Sequence, residues 1–215
     1  MGRTGSFLLG ALVFALAAAG VMIWTGNEIP GMGLFAPPSP EQRLVSAMEE
    51  VVSQGGFAAS FADDDAKNWR LADGHQFERH AVDSARAVIA RLSSSVPLDV
   101  SPPSWESQGL SIELPVTFAQ QTNGRRIEIG IVARAAPTNT SGVLSAVFAT
   151  RQAGNSGWRK FKLKPNFEVH KIVFDMPTIE TGYTAKPIVV VHADAPGKGR
   201  AIELIGIFAR QIPRT

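Results

Sequence analysis

Residues 154–177 read GNSGWRKFKLKPNFEVHKIVFDMP. A Gly-Asn-Ser-Gly turn delivers Trp158, and four basic residues follow within six positions. In a strand that is regular from Trp158, side chains alternate between faces, so Trp158, Lys160, Lys162 and Lys164 share one face and Arg159, Phe161 and Leu163 the other. Phe161 and Leu163 must then be the buried pair. After Lys-Pro-Asn the same period returns in Ile172, Phe174 and Met176. The stretch therefore reads as two adjacent strands joined at Lys164–Phe167, a piece of folded core before it is a basic recognition peptide. The direction of Trp158 stays open. On the lysine face, its ring can stack on a sugar while the ammonium groups hold acidic substituents. If a bulge near Gly157 or Arg159 turns it inward, the lysines are a solvated face that guards an edge strand.

The period extends through the rest of the chain. Leu110, Ile112 and Leu114 alternate with polar or small residues, as do Ile127, Ile129 and Ile131, then Leu144, Ala146 and Phe148, and finally Ile202, Leu204, Gly206 and Phe208. Turn-rich clusters such as LADG, QTNG, PTNTSG and APGKG separate these runs, the pattern of many short antiparallel strands. Pro187–Ala193, PIVVVHA, is apolar on both faces and is expected at the centre of a sheet. His80–Leu92 fits a helix as well as a strand. A strand over Arg86–Ser93 is the reading adopted, because a lone helix inside a meander is hard to place.

The first 55 residues are different. Phe7–Trp24 is an uncharged, mostly apolar run of 18 residues, about the minimum for a membrane span, with Trp24 at its far end. Ala17–Ala19 offers a cleavage site, yet cleavage there would leave Val21–Trp24 at a new N-terminus, so an uncleaved signal anchor over residues 1–25 is preferred. Arg3 before the run, with Glu28 and Glu41 after it, orients the C-terminal part outward. In a bacterial cell that means a single-pass inner-membrane protein with its domain in the periplasm. Residues 26–55 are read as a Pro/Gly linker and a short amphipathic helix, Pro40–Gln54, with Ser39 as cap and Gln42 at the third helical position. Leu44, Val45, Met48, Val51 and Val52 form its apolar stripe, and Gly55 and Gly56 end it. The stripe is expected to pack on the domain or the membrane, or to serve a partner. Residues 56–215 remain for one domain.

Composition excludes much. With no cysteine among 215 residues there is no disulfide, thiolate metal site or cysteine nucleophile. Residues 1–115 carry 7 Lys+Arg against 13 Asp+Glu, a net of −6, and residues 116–215 carry 14 against 6, a net of +8. The halves attract each other on folding, so the basic excess does not point to nucleic acid. No nucleophile elbow, zinc-protease helix or phosphate-binding glycine loop occurs. His75, His80, His170 and His192 lack metal-ligand spacing, and His75 and His80 are expected at the surface.

The order of features, "GGFAASFADDDAKNWRLADG", a strand ending "AVIARLS", "LSIELPVTF", "GWRKFKL", "FEVHKIVFDMP" and a last "GKGRAIELIGIFARQI", resembles the galactose-binding-like jelly roll of many carbohydrate-binding modules. The resemblance spans residues 56–212. It implies an all-β antiparallel jelly-roll sandwich and fixes fold better than function. It also implies a possible structural calcium between the acidic loop and the last strand, for which Asp63, Asp65 and Glu203 are the matching oxygen donors. Ligands of such domains meet loop tips or a concave sheet face, which adds Trp105 and Tyr183 to Trp158, Lys160, Lys162 and Lys164 as candidate ligand-binding residues. The expected function is non-catalytic polysaccharide or glycan binding at the bacterial envelope, in exopolysaccharide handling. The alternative is an accessory or scaffold subunit docking protein partners in an inner-membrane complex.

Overall fold

Ile127, Ile129 and Ile131 are all fully buried in β6 (Arg126–Ala135), an inner strand of the first sheet. The computed structural model describes residues 37–61, 68–82, 87–102 and 104–214, and Pro38–Thr215 folds as one unit. The acidic run Asp63–Asp65 and the segment over residues 1–25 that is expected to be a membrane anchor lie outside the described residues. No helix among the described residues is long and apolar enough to cross a membrane.

The remaining strands are β1 (Phe57–Ser60), β2 (Trp69–Leu71), β3 (His75–Val82), β4 (Ala87–Ser94), β5 (Leu110–Glu113), β7 (Val143–Ala149), β8 (Arg159–Lys162), β9 (Glu168–Asp175), β10 (Ile188–His192) and β11 (Ala201–Ile212). Two sheets form, in the orders β3-β4-β11-β6-β9 and β2-β5-β10-β7-β8, and β1 pairs with the far half of β11. All these ladders are antiparallel. The facing residues make one core, in which Leu92, Leu110, Ile112, Leu144, Phe148, Ile172, Val189, Val191 and Ile202 interdigitate. This is the expected all-β sandwich. The PIVVVHA strand is central in the second sheet, and the AVIARLS segment is a strand, the partner of β3.

Two readings of the sequence change. The strands on either side of Lys164–Phe167 are not neighbours: β8 edges the second sheet and β9 edges the first. The link crosses between layers, with the Leu163 amide donating to the Gly142 carbonyl and the Ala135 amide to that of Lys164. Pro165 has no amide to continue a ladder, which suits a crossing as well as a hairpin. The second change is in β11. A bulge between Leu204 and Gly206 shifts the register against β6, so Ile202, Leu204, Ile207 and Ala209 join the core while Ile205 and Phe208 point the other way. Phe208 thus leaves the face on which strict alternation puts it.

Those two side chains meet helix α1 (Pro40–Ser53), whose Ser39 hydroxyl accepts from the Gln42 amide while the Gln42 side chain accepts from the Ser39 amide. Met48 and Val51 are buried against Ile89, Val132, Ile205 and Phe208. The helix thus packs its stripe on the outer face of the first sheet, and of the stripe residues Val52 alone is exposed. Short helix α2 (Val116–Gln121) plugs one end of the sandwich with Phe118 and Ala119.

Candidate functional site

The outer face of the second sheet follows from the register. Ser111 on β5, Val190 on β10 and Val147 on β7 form one cross-strand row; Glu113, Ile188 and Ala149 form the next; His192, Ser145 and Lys160 form a third. Val147, Ala149, Ile188 and Val190 make an apolar patch that the sandwich core does not cover, and two tryptophans lie on it. Trp105 comes from a 3₁₀ turn, Trp105–Gln108, and Trp158 from the residue before β8. Their rings meet edge to face at 6.0 Å and 61°. Gly157, at φ +66, makes the turn that lays Trp158 down.

Trp158 therefore follows the parity of the lysine face without standing exposed on it. It is half-buried, and its indole Nε1 is buried with no hydrogen-bond partner in the structure. The Ser145 hydroxyl, in the neighbouring row, is buried without a partner as well. A buried donor or acceptor without a partner costs about 1–3 kcal/mol, and His192 Nε2, in the row of Ser145, is a third such atom on this face.

An ion cluster borders the patch. Glu113, 9 % exposed at its side chain, binds Arg151 Nη1 at 3.2 Å and Lys186 Nζ at 3.1 Å, with Arg70 at 3.9 Å. Arg151 also pairs with Glu106, next to Trp105, and holds a left-handed backbone at φ 62. Burial works to raise the carboxyl pKa of Glu113, but Lys186 and then Arg151 outweigh it and hold the group below the ordinary glutamate value. Glu106 is likewise lowered: burial opposes it, and the Ser104 hydroxyl, its own backbone amide and Arg151 prevail. Arg151 thus ties the Trp105 turn to β5. Arg151→Ala is expected to release that turn: amide exchange over Trp105–Gln108 speeds up about tenfold, at a cost to global stability of about 1 kcal/mol. Unchanged exchange there would show that the tryptophan contact alone holds the turn.

Of the six candidate ligand residues, the structure brings Trp158, Lys160, Lys162 and Trp105 to this one face. Lys164 lies beyond the end of β8 and pairs with Glu168 at 2.7 Å. Tyr183 is a correction: it is fully buried in the core, its hydroxyl donates to the Pro177 carbonyl at 3.0 Å, and burial raises its pKa, so no ligand can stack on it. The carboxylate of Glu203 takes the guanidinium of Arg134 at 2.6 Å, on the first sheet, and the other two expected calcium donors, Asp63 and Asp65, lie outside the described residues. Among the described residues no group of three His, Asp or Glu side chains is placed to hold a metal. His75 is buried rather than superficial, with Nδ1 2.7 Å from the Ser94 hydroxyl; His80 is exposed. Glu106, Glu113, Arg151, Lys186 and Ser145 were not legible as site residues. The alternation of Glu113 against Leu110, Ile112 and Leu114 was the one signal that it faces outward.

No protein-family model matches the sequence, and no curated protein is significantly similar to it. Solved structures share the fold. The N-terminal CBM22-1–CBM22-2 tandem domain of Paenibacillus barcinonensis Xyn10C aligns with TM-score 0.52 and 11 % identity, over 74 % of this chain and 45 % of that one. The single CBM22-1 xylan-binding domain of the same protein aligns with TM-score 0.50 and 11 % identity, over 74 % of this chain and 95 % of that one. This chain thus matches one module of the pair and spans under half of the tandem. The architecture shared with these domains is a jelly-roll β-sandwich.

Proposed function

We propose that this protein is a non-catalytic glycan-binding protein whose ligand lies across the outer face of the second sheet, on Trp158 and Trp105. The observation that supports it most is the indole pair on an apolar patch. Aromatic rings supply an apolar platform for a sugar ring, and the exposed lysines beside it can take the hydroxyls. The ion pairs around Glu113 hold its carboxylate with three cations, a structural arrangement at the border of the patch.

The address belongs to the same proposal. Residues 1–25 hold the protein at a bacterial inner membrane and place the domain in the periplasm, where it takes part in exopolysaccharide handling. The uncharged run Phe7–Trp24 and the charges around it support this. Docking as a scaffold subunit is the weaker reading, since α1, the element that favoured it, spends Met48 and Val51 on its own sheet.

Affinity electrophoresis and calorimetry of the full-length protein against xylan and a panel of soluble bacterial polysaccharides test the binding. A bound glycan is expected, with Trp158→Ala and Trp105→Ala each weakening it about tenfold, the scale of one lost aromatic platform. Absence of binding across the panel, or wild-type affinity in Trp158→Ala, overturns the reading.

A further inference from the structure

The cations of the C-terminal half sort into two groups. Arg126, Arg134, Arg151, Lys164, Lys171, Lys186 and Arg210 each reach a carboxylate, Arg151 and Lys186 one from the acidic half of the chain and the other five one from their own half. Lys160 and Arg200 have no carboxylate partner among the described residues, and they line the same open cleft of about 240 Å³. Lys162, also without one, is paired across the ladder with Val143, which lines that cleft too.

The cleft has a built wall. Asp194, 2 % exposed, is turned away into its own loop: its Oδ2 accepts from the Lys198 amide at 2.7 Å and from the Arg200 amide at 3.3 Å. Gly197 at φ +68 and Gly199 at φ +74 let the loop close around that carboxylate. The one acid lining the cleft is thus occupied in shaping the loop that carries Arg200. Lys160 reaches the cleft from the strand face that bears Trp158 two residues earlier, about 7 Å along β8. It is the direct ladder partner of Ser145, whose hydroxyl is buried and unpartnered.

From this arrangement we infer that the Lys160–Arg200 cleft is a subsite for the carboxylate of an acidic sugar, a uronate carried by the glycan that lies on Trp158. The inference rests on the glycan-binding reading and names the ligand class: a charged polysaccharide rather than a neutral one. A ring stacked on Trp158 places a substituent within one sugar residue of Lys160, and Arg200 presents a planar pair of donors that matches a carboxylate.

The test uses the full-length protein and pairs of probes: glucuronoxylan, alginate and polygalacturonate, each against its carboxyl-reduced form. At least one native polymer is expected to bind about tenfold more tightly than its reduced form, and raised salt narrows that gap. Lys160→Gln with Arg200→Gln is expected to erase the difference by weakening the native polymer about tenfold and its reduced form far less. Trp158→Ala weakens both. Equal binding of native and reduced forms in every pair, with binding present, overturns the uronate subsite and leaves the glycan reading standing. A double variant that keeps the preference for the native form overturns it too. Competition by inorganic phosphate as effective as by free glucuronate would show a general anion site and also overturn it. If no polymer in either form binds, the glycan reading fails and the subsite with it.

Discussion

Between pH 6.5 and pH 4 the domain is expected to lose about 3 kcal/mol of stability through His192 alone. His192 is fully buried, and its pKa is lowered from 6.5 to about 4, first by burial and then by the neighbouring His75, whose ring meets it edge-on at 5.1 Å. Val96 and Asp194 pull weakly the other way. The Asp194 amide donates to His192 Nδ1 at 3.2 Å, so protonating that nitrogen also forfeits a bond. Above pH 6.5 the imidazole is neutral in folded and unfolded chains, and its contribution is fully present. As pH falls, the unfolded chain takes the proton first, and the contribution shrinks until the folded pKa is reached. Burial lowers the pKa of His75 and of His170 as well, so their effects run in the same direction. Urea unfolding at pH 7 and pH 4.5 measures the loss, and His192→Gln is expected to flatten the curve. Equal urea midpoints for the wild type at the two pH values would show that these rings are already solvated. The histidines therefore set the pH floor of any binding experiment.

The strands whose alternation is uninterrupted were legible from the sequence: Leu110–Leu114, Ile127–Ile131 and Leu144–Phe148 all bury the expected side chains. A bulge leaves almost no trace in a pattern of period two. In β11 the sequence Leu204-Ile205-Gly206-Ile207 continues apolar in either phase, so the flip after Leu204 was invisible. The crossing from β8 to β9 was invisible for a related reason, since Lys-Pro-Asn satisfies the local geometry of a hairpin and of a link between layers. The direction of Trp158 was open in the sequence, and the structure lays it on the lysine face of β8 but over an apolar patch instead of a polar one. PIVVVHA already implied that patch: a strand apolar on both sides must bury its second face against something, and Trp105 and Trp158 are that cover. The pairing of Glu113 with Arg151, 38 residues away, is a product of the fold and has no signature along the chain.

The flip in β11 has a large consequence at Gly130. Gly130 is the ladder partner of Phe208, and because the bulge turns Phe208 outward, its ring lies directly over that glycine. A Cβ at Gly130 would stand 2.1 Å from the ring's Cζ and 2.3 Å from Cε1. The ring is 7 % exposed, held under α1 in the cluster with Met48 and Val51, so it has little room to withdraw. Valine is the better residue for a strand interior on intrinsic grounds, and with Phe208 in the core Gly130→Val would be neutral or stabilising. With the ring overhead, the substitution is expected to cost about 3 kcal/mol, at the upper end for overpacking. Phe208→Ala alone is expected to cost a similar amount, about 3 kcal/mol, through the cavity left beneath the helix. The double variant places the valine methyls where the ring was, so its loss is expected to fall short of the sum by about 2 kcal/mol. Denaturant unfolding of the four proteins measures that coupling. Strict additivity would put Phe208 back in the core, remove the bulge and return α1 to the role of an unattached helix available to a partner.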